Sequence, residues 1–198
     1  MCLLFETIQI CNGKAQRLEL HSLRMNRSRR TLLHCTDFID LQSLISIPQR
    51  CYNGVCKCRV TYGKNIEDIS FTPYAPRIIN TLQLVECNNI EYAHKYADRT
   101  NLEKIKTNAL ADDVIIAKNG YITDTSFSNL IFFDGKQWIT PATPLLRGTM
   151  REYLLNKKEI IEKEIKIENI KIFVSLKLIN AMLHPSQSTE IEVNKIIL

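Results

Sequence analysis

Three short stretches of this 198-residue chain hold residue types able to do chemistry on a small ligand. In the first, Glu91 to Asn101, Lys95 sits among Tyr92, His94 and Tyr96. Aromatic neighbours desolvate an ammonium and lower its pKa, which is what an imine-forming lysine needs. The same residues also suit a surface lysine with its stem laid on the rings. With 26 Lys and Arg in the chain, local sequence alone favours that plainer reading. In the second stretch, Asp124 ends a short apolar segment and is followed by Thr125, Ser126, Ser128 and Asn129. A carboxylate there can point into a cleft, or simply bond the amides that follow it in a turn. In the third, Gly148 and Thr149 stand at the head of an expected helix, between Arg147 and Arg151. Free N–H groups and the positive dipole end suit phosphate, and plain capping accounts for the same pair.

The patterning of the chain says which elements must carry these groups. Leu3 to Ile10 reads as a strand, and Asn12-Gly13 as a tight turn. Leu18 to Leu33 suits a helix with Leu20, Leu23 and the stem of Arg27 along one side. Asp37 is placed to cap a second helix stopped by Pro48. Strand-like runs follow at 56–62, 66–74 and 78–87, the first two joined at Gly63-Lys64-Asn65. Composition shifts near Asn88-Asn89. Beyond it come a helix over 102–111, a buried strand over 113–117, and a turn at Asn119-Gly120 into a strand over 121–124. Two more strands, 130–133 and 137–140, flank Asp134-Gly135, and a helix over 148–157 turns Leu154 and Leu155 inward. The tail reads as a charged strand over 160–167, a mixed segment over 170–182 and a last strand over 190–197. The expected architecture is α+β in two lobes, a small N-terminal lobe over 1–87 and a larger one over 88–198.

Composition narrows the function. Hydrophobic residues make up 45% and charged residues 24%, ordinary values for a globular protein, and no apolar run reaches the length of a membrane span. Glu6 interrupts the apolar start and no basic segment precedes it, so a cytoplasmic protein without a signal peptide is expected. Seven cysteines (Cys2, Cys11, Cys35, Cys51, Cys56, Cys58 and Cys87) are odd in number and scattered, which argues for reduced thiols in the core. With four histidines and no second cysteine pair at zinc spacing, no metal site is expected. The net charge is +5, and its densest stretch, Arg24 to Arg30, has no interleaved aromatics to stack on bases. A solvated helix face, or one or two arginines holding a small anion, explains it better than nucleic acid.

The order of the pieces is more specific than any one of them. Lys95, then Asp124 and Asn129 before an apolar run, then Thr140-Pro141, then Gly148-Thr149-Met150-Arg151 opening a helix resembles the class IV aminotransferase family. These are fold-type-IV pyridoxal-phosphate (PLP) enzymes: branched-chain aminotransferases, D-amino acid aminotransferases and aminodeoxychorismate lyases. Upstream, residues 5–29 resemble the family's small-domain opening of strand, turn and a helix bearing His and Arg. The resemblance runs from about Phe5 to Arg151 and weakens beyond. It implies a D-amino acid aminotransferase-like fold with a reduced N-terminal lobe and PLP as cofactor. By position, Lys95 is then the lysine that links to the cofactor and later moves the proton. Arg24 grips the phosphate, Thr149 and Met150 add backbone N–H groups beside Gly148, and Asp124 pairs with the pyridine nitrogen. Ser128 and Asn129, with Thr125 and Ser126, support the loop around the ring. A small amine or amino-acid substrate and a homodimer are further implications.

Two departures stand out. The family usually carries Glu where this chain has Asp124, one methylene shorter. The family's preceding N-terminal strands and later substrate-loop glycines are also absent, so the chain resembles a member shortened at both ends. Met150 in the Gly-x-Met-Arg stretch resembles the lyases more than the transaminases. The expected reaction is 4-amino-4-deoxychorismate to 4-aminobenzoate plus pyruvate. An aminotransferase acting on branched-chain or D-amino acids is the alternative, and a non-catalytic relic with a binding role is a third. Arg59, Arg77 and Arg99 are candidates for substrate carboxylates, and ordinary surface or strand-edge arginines by their local sequence.

Overall fold

A computed structural model describes residues 3–198; Met1 and Cys2 lie outside the described residues, and with them the first of the seven cysteines and the very start of the segment read for a signal peptide. The chain forms two compact units. The first holds the residues up to Pro76 together with His94–Asp98, and the second holds Arg77–Ala93 and Arg99–Leu198. A single division at residue 87 is therefore replaced by an exchange of segments. Residues 77–93 pack with the later chain, and the pentapeptide around Lys95 returns to the first unit.

In the first unit, β1 (Leu4–Cys11) turns through Asn12 and Gly13 into β2 (Lys14–Ala15). Both turn residues have positive φ, 47° and 74°, as the tight hairpin requires. Next come α1 (Leu18–Leu33), a single-turn α2 (Leu41–Leu44), β3 (Val55–Tyr62) and β4 (Ile66–Pro73), with sheet order β2-β1-β3-β4. Strict alternation along β1 and β3 sends Leu4, Ile8, Ile10, Cys56, Cys58, Val60 and Tyr62 to one face, packed with Met25 of α1. Each fully buried aliphatic side chain there contributes about 1.5–3 kcal/mol.

The helix differs from its sequence reading. Leu23 is exposed, as is Arg27, and the buried positions are His21, Ser22, Arg24, Met25, Asn26, Ser28 and Arg29. A mostly polar stripe is tolerated because its members bond one another and the loops. Arg29 holds Asn26, both oxygens of Asp37 and the Lys64 carbonyl. Asp37 is thus a partner of Arg29 and does not cap the second helix. Asp40 does so, accepting from the Gln42 N–H, and shortens that helix to one turn.

The second unit contains β5 (Leu82–Glu86), α3 (Thr100–Thr107), β6 (Asp113–Lys118), β7 (Tyr121–Thr125), β8 (Asn129–Phe133) and β9 (Trp138–Pro141). Then follow α4 (Thr149–Asn156), β10 (Ile161–Lys163), β11 (Ser175–Ile179), β12 (Ile191–Glu192) and β13 (Ile196–Ile197). One nine-stranded sheet runs β10-β9-β8-β7-β6-β5-β13, with β11 also paired to β8 and to β12. β5 lies parallel to β6, and this pairing places residues 82–86 in the second unit. The long charged strand expected over 160–167 is only β10, and the expected final strand is two short ones split by a turn at 193–195. The core lies around Leu82, Ile115, Ile122, Leu130, Phe132, Leu176 and Leu178.

Candidate active site

In the first unit the site begins with a charge out of place. Glu6 occupies an inward position of β1 between Leu4 and Ile8 and is fully buried. It accepts hydrogen bonds from Arg24 Nε at 2.9 Å and from Arg24 Nη2, and His21 Nδ1 lies 2.6 Å from its second oxygen. His21 and Arg24 are three residues apart, so α1 presents both on one face. Burial alone would raise the Glu6 carboxyl. The Arg24 charge and the His21 hydrogen bond outweigh it and hold the group at about 2. Burial lowers the pKa of His21, and the neutral ring donates to Glu6 through Nδ1. The cluster is therefore charge-balanced, with Arg24 fixed by a two-point grip on its guanidinium.

His94–Asp98 is laid along β1. The Phe5 N–H donates to the Lys95 carbonyl at 2.9 Å, the Ala97 N–H to the Leu3 carbonyl at 2.8 Å, and Leu4 bridges Tyr96. His94 Nδ1 lies 2.9 Å from Ser28 Oγ, one helical turn beyond Arg24. Lys95 Nζ stands 4.8 Å from the centroid of the Phe5 ring. Phe5, distant in sequence, is thus an aromatic group against Lys95, and His94 packs edge-on to Tyr96. Arg59 meets the same ring, with Cζ 3.9 Å from its centroid.

In the second unit Asp124 closes β7 opposite Asn129, which opens β8. Asn129 Nδ2 donates to Asp124 Oδ1 at 2.7 Å and to the Leu146 carbonyl at 2.8 Å, and the Leu146 N–H donates to Asp124 Oδ2 at 2.9 Å. Thr125 Oγ1 accepts from the N–H groups of Phe127 and Ser128, which folds residues 125–128 into a hydroxyl-closed turn. Ser128 Oγ accepts from Asn180 Nδ2 at 2.8 Å. Asp124 is 5% exposed, and among the described residues it forms no ion pair. Burial pushes its carboxyl up to about 6, against the lowering effect of the Leu146 N–H, the Asn129 amide and the Arg151 charge. Among the described residues this buried carboxylate is hydrogen-bonded by neutral donors and forms no ion pair.

Gly148 is there for space. A Cβ on it would stand 2.0 Å from Asn129 Oδ1. As N-cap of α4 it makes no side-chain hydrogen bond to the helix start. Thr149 and Met150 are buried there, the Met150 side chain among Ile131, Leu154, Ile160 and Ile179. Arg151 turns away, donating to the Pro141 carbonyl at 2.9 Å and pairing with Glu162. Arg99 donates to the Ser126 carbonyl at 2.8 Å and pairs with Glu103, and Arg77 lies 5.9 Å from the Phe127 ring centroid. Both arginines thus contact the turn that follows Asp124.

Sequence reasoning missed Glu6, His21 and Phe5, along with the Asn180 contact to Ser128. Glu6 had a signal, a charge at an inward position of an alternating strand. Phe5 and Asn180 had none, since each reaches its partner only through strand pairing.

No helix of the described residues is long and apolar enough to cross a membrane, and no cluster of three or more His, Cys, Asp or Glu among them could hold a metal ion. The amino-transferase class IV family matches residues 3–186. An uncharacterised protein of Haemophilus influenzae (strain ATCC 51907 / DSM 11121 / KW20 / Rd) is 42% identical over 182 residues, spanning 90% of this chain and 97% of that protein. A crystal structure from Haemophilus somnus 129PT, provisionally named a 4-amino-4-deoxychorismate lyase, is similar with a TM-score of 0.88 and 33% identity, covering 93% of this chain and 98% of that one. A Mesorhizobium loti protein provisionally named an amino-acid aminotransferase has a TM-score of 0.81 at 21% identity over the whole of both chains, a likeness of fold alone.

Proposed function

Because this chain belongs to the class IV aminotransferase family, we propose that it is a PLP-dependent lyase that converts 4-amino-4-deoxychorismate to 4-aminobenzoate and pyruvate. The observation that carries the cofactor assignment is Asp124. A buried carboxylate with neutral donors and, among the described residues, no ion pair fits a protonated pyridine nitrogen. The Haemophilus somnus likeness, above 30% identity over nearly both chains, favours the lyase.

When bound, PLP supplies an electron sink for charge left at the amine-bearing carbon. Lys95 would hold it covalently and would move a proton at Nζ. Asp124, oriented by Asn129 and the Leu146 N–H, would pair with the pyridine nitrogen and keep it protonated. Arg24, fixed by Glu6, would be one phosphate donor, and the N–H groups at the start of α4 are of the kind that would supply others. Proton loss at the amine-bearing ring carbon is matched by cleavage of the C–O bond on the adjacent carbon. The enolpyruvyl oxygen keeps the electron pair, the fragment takes up a proton as pyruvate, and the ring becomes aromatic. A cytoplasmic homodimer working in folate synthesis completes the proposal, and light scattering of the purified protein tests the dimer.

The test of function has two steps. PLP is added, the protein is reduced with borohydride, and the modified lysine is mapped by mass spectrometry. A pyridoxyl group on Lys95 supports the assignment, and its absence there ends it. Loaded protein is then given 4-amino-4-deoxychorismate, or an amino acid with a keto acid. Formation of 4-aminobenzoate supports the lyase, whereas amino transfer alone would replace it with the aminotransferase.

A further inference from the structure

A closed circuit of contacts runs through the first unit. Phe5 and Glu6 are neighbours on β1. The Phe5 N–H donates to the Lys95 carbonyl at 2.9 Å, and the Glu6 carboxylate accepts from Arg24 Nε at 2.9 Å. Arg24 and Ser28 stand one helical turn apart on α1 and so share a face. Ser28 Oγ lies 2.9 Å from His94 Nδ1, and His94 precedes Lys95 in the chain. The circuit therefore leads from Lys95 through Phe5, Glu6, Arg24, Ser28 and His94 back to Lys95.

The backbone bonds of this segment run along β1, from Phe5 to Lys95 and from Ala97 to the Leu3 carbonyl. Bonds along one strand edge fix position along that edge but resist rotation about it poorly. A contact off the edge, to a helix, resists that rotation, and the His94–Ser28 contact is of this kind. It reaches Lys95 directly, because the Tyr96 N–H donates to the His94 carbonyl at 2.9 Å in a three-residue turn centred on Lys95. Burial, with the Arg27 charge, lowers the pKa of His94, so the ring is neutral at neutral pH. A neutral ring against Ser28, which is 2% exposed, brings no charge into the helix face.

We propose that His94, held on Ser28, is a positioning residue that sets the Lys95 amine at a fixed reach from the Arg24 guanidinium, so that the protein favours a phosphorylated aldehyde over the same aldehyde without its phosphate. This rests on the reading of Lys95 as the cofactor lysine and of Arg24 as a phosphate donor. A ligand held at two points gains from both only when their spacing is already set. If the spacing loosens, anchoring the phosphate no longer delivers the aldehyde to the amine. Misplacement by about 1 Å can cost about 10²-fold, and one link of a circuit that keeps its others costs less, about tenfold.

The test uses full-length protein and two matched aldehydes, PLP and pyridoxal, which differ in the phosphate. Nζ adds to the aldehyde carbon, water leaves, and a borohydride quench delivers the hydride that fixes the C–N bond. Labelling of Lys95 against time is read by mass spectrometry for wild type, His94→Phe, His94→Asn, Ser28→Ala and the His94→Phe/Ser28→Ala pair. Melting curves of the cofactor-free proteins show that each is folded. The PLP-to-pyridoxal rate ratio, set against that of Nα-acetyllysine, cancels the difference in aldehyde reactivity. Wild type is expected to exceed the free amine in this ratio by at least about tenfold, the scale of one charge-assisted contact. His94→Phe keeps an aromatic ring beside Tyr96 and loses the bond to Ser28. Its ratio should fall about tenfold, with the pyridoxal rate changed less than about twofold. Ser28→Ala should fall by the same amount, and the double variant no further than either single one. His94→Asn places an amide near the position of Nδ1 and should keep most of the wild-type ratio. A merely structural role would slow both aldehydes alike and leave the ratio unchanged. An unchanged ratio in His94→Phe, or in Ser28→Ala should that variant be the one that folds, overturns the proposal while wild type keeps its preference for PLP. A wild type unlabelled at Lys95, or no better than the free amine in its ratio, overturns the reading beneath and the proposal with it, so the two failures are told apart.

Discussion

Both units bury a carboxylate, and they treat it in opposite ways. Glu6 has a guanidinium on two points and an imidazole on its second oxygen, and its carboxyl is held down to about 2. Asp124 has an amide, a backbone N–H and no ion pair among the described residues, and its carboxyl is pushed up to about 6. Burial acts on each in the same direction; the presence of a cation decides the outcome. The first cluster is electrostatically complete within the protein and acts as structure that aims Arg24. The second forms no ion pair among the described residues, which is consistent with the proposed pairing to a cationic cofactor ring.

The strongest way to break the comparison is to remove Glu6. Glu6→Ala leaves Arg24 buried without its counter-charge, and the expected loss is about 3–5 kcal/mol of unfolding free energy. Urea denaturation at neutral pH measures it. A loss below about 1 kcal/mol would mean that Arg24 finds another partner and the cluster is not self-contained. The pH dependence has a definite sign. The Glu6 pKa is depressed in the fold, so its contribution is full above about 4.5 and fades as pH falls toward about 2. His21 is depressed as well, so stability falls below about pH 6.5, where the unfolded chain takes up a proton that the folded ring resists.

Asp124 runs the other way. Its folded pKa, about 6, is raised from 3.8, so its contribution is full below about 4 and is lost as pH rises through 6. In the cofactor-free protein this amounts to about 3 kcal/mol across that window, as an order of magnitude. Asp124→Asn should flatten that component, which melting curves of both proteins from pH 4 to 7.5 would reveal as a converging difference. The same variant should lose most of the stabilisation that added PLP gives wild type at pH 7.5. If the variant keeps the full gain, Asp124 does not pair with the cofactor.

How much of this was legible beforehand follows from the range of the interactions. Turn and strand signals are local, so Asn12-Gly13, Asn119-Gly120 and the strands around Asp124 could be read from the chain. The ordered set of Lys95, Asp124, Asn129 and Gly148 could be read too, and the family match over residues 3–186 bears out that resemblance. The buried side of α1 could not. An apolar stripe through Leu20 and Leu23 is the usual guide, but here the stripe is polar and is satisfied by Glu6 and Asp37, which arrive from other elements. The return of His94–Asp98 to β1 was equally hidden, because a five-residue segment paired at one strand edge leaves no periodic trace.

Gly148 sharpens the comparison at intermediate cost. Its backbone, φ −74° and ψ 146°, suits any residue, so Gly148→Ala is a test of space alone. The new methyl would meet Asn129 Oδ1 at 2.0 Å and push the amide off Asp124 and Leu146. Overpacking of this kind costs about 1–3 kcal/mol. PLP affinity should fall with it, as Asp124 loses its orienting donor. If stability drops while PLP affinity holds, Asn129 serves the fold and not the carboxylate.

The smallest effect expected is at Arg99. Its guanidinium donates to the Ser126 carbonyl, inside the turn that carries the chain from Asp124 to Asn129, and its pairing with Glu103 at 3.5 Å is largely solvent-exposed. The exposed pair is worth little, so the turn contact sets the effect of Arg99→Gln, about 1 kcal/mol or less. The loss should appear locally, as faster amide exchange at Phe127 and Ser128, whose N–H groups close on Thr125. PLP should still label Lys95, with its affinity lowered no more than about fivefold. A loss of substrate binding far beyond the loss of PLP affinity would instead move Arg99 from holding the Asp124 turn to holding the substrate.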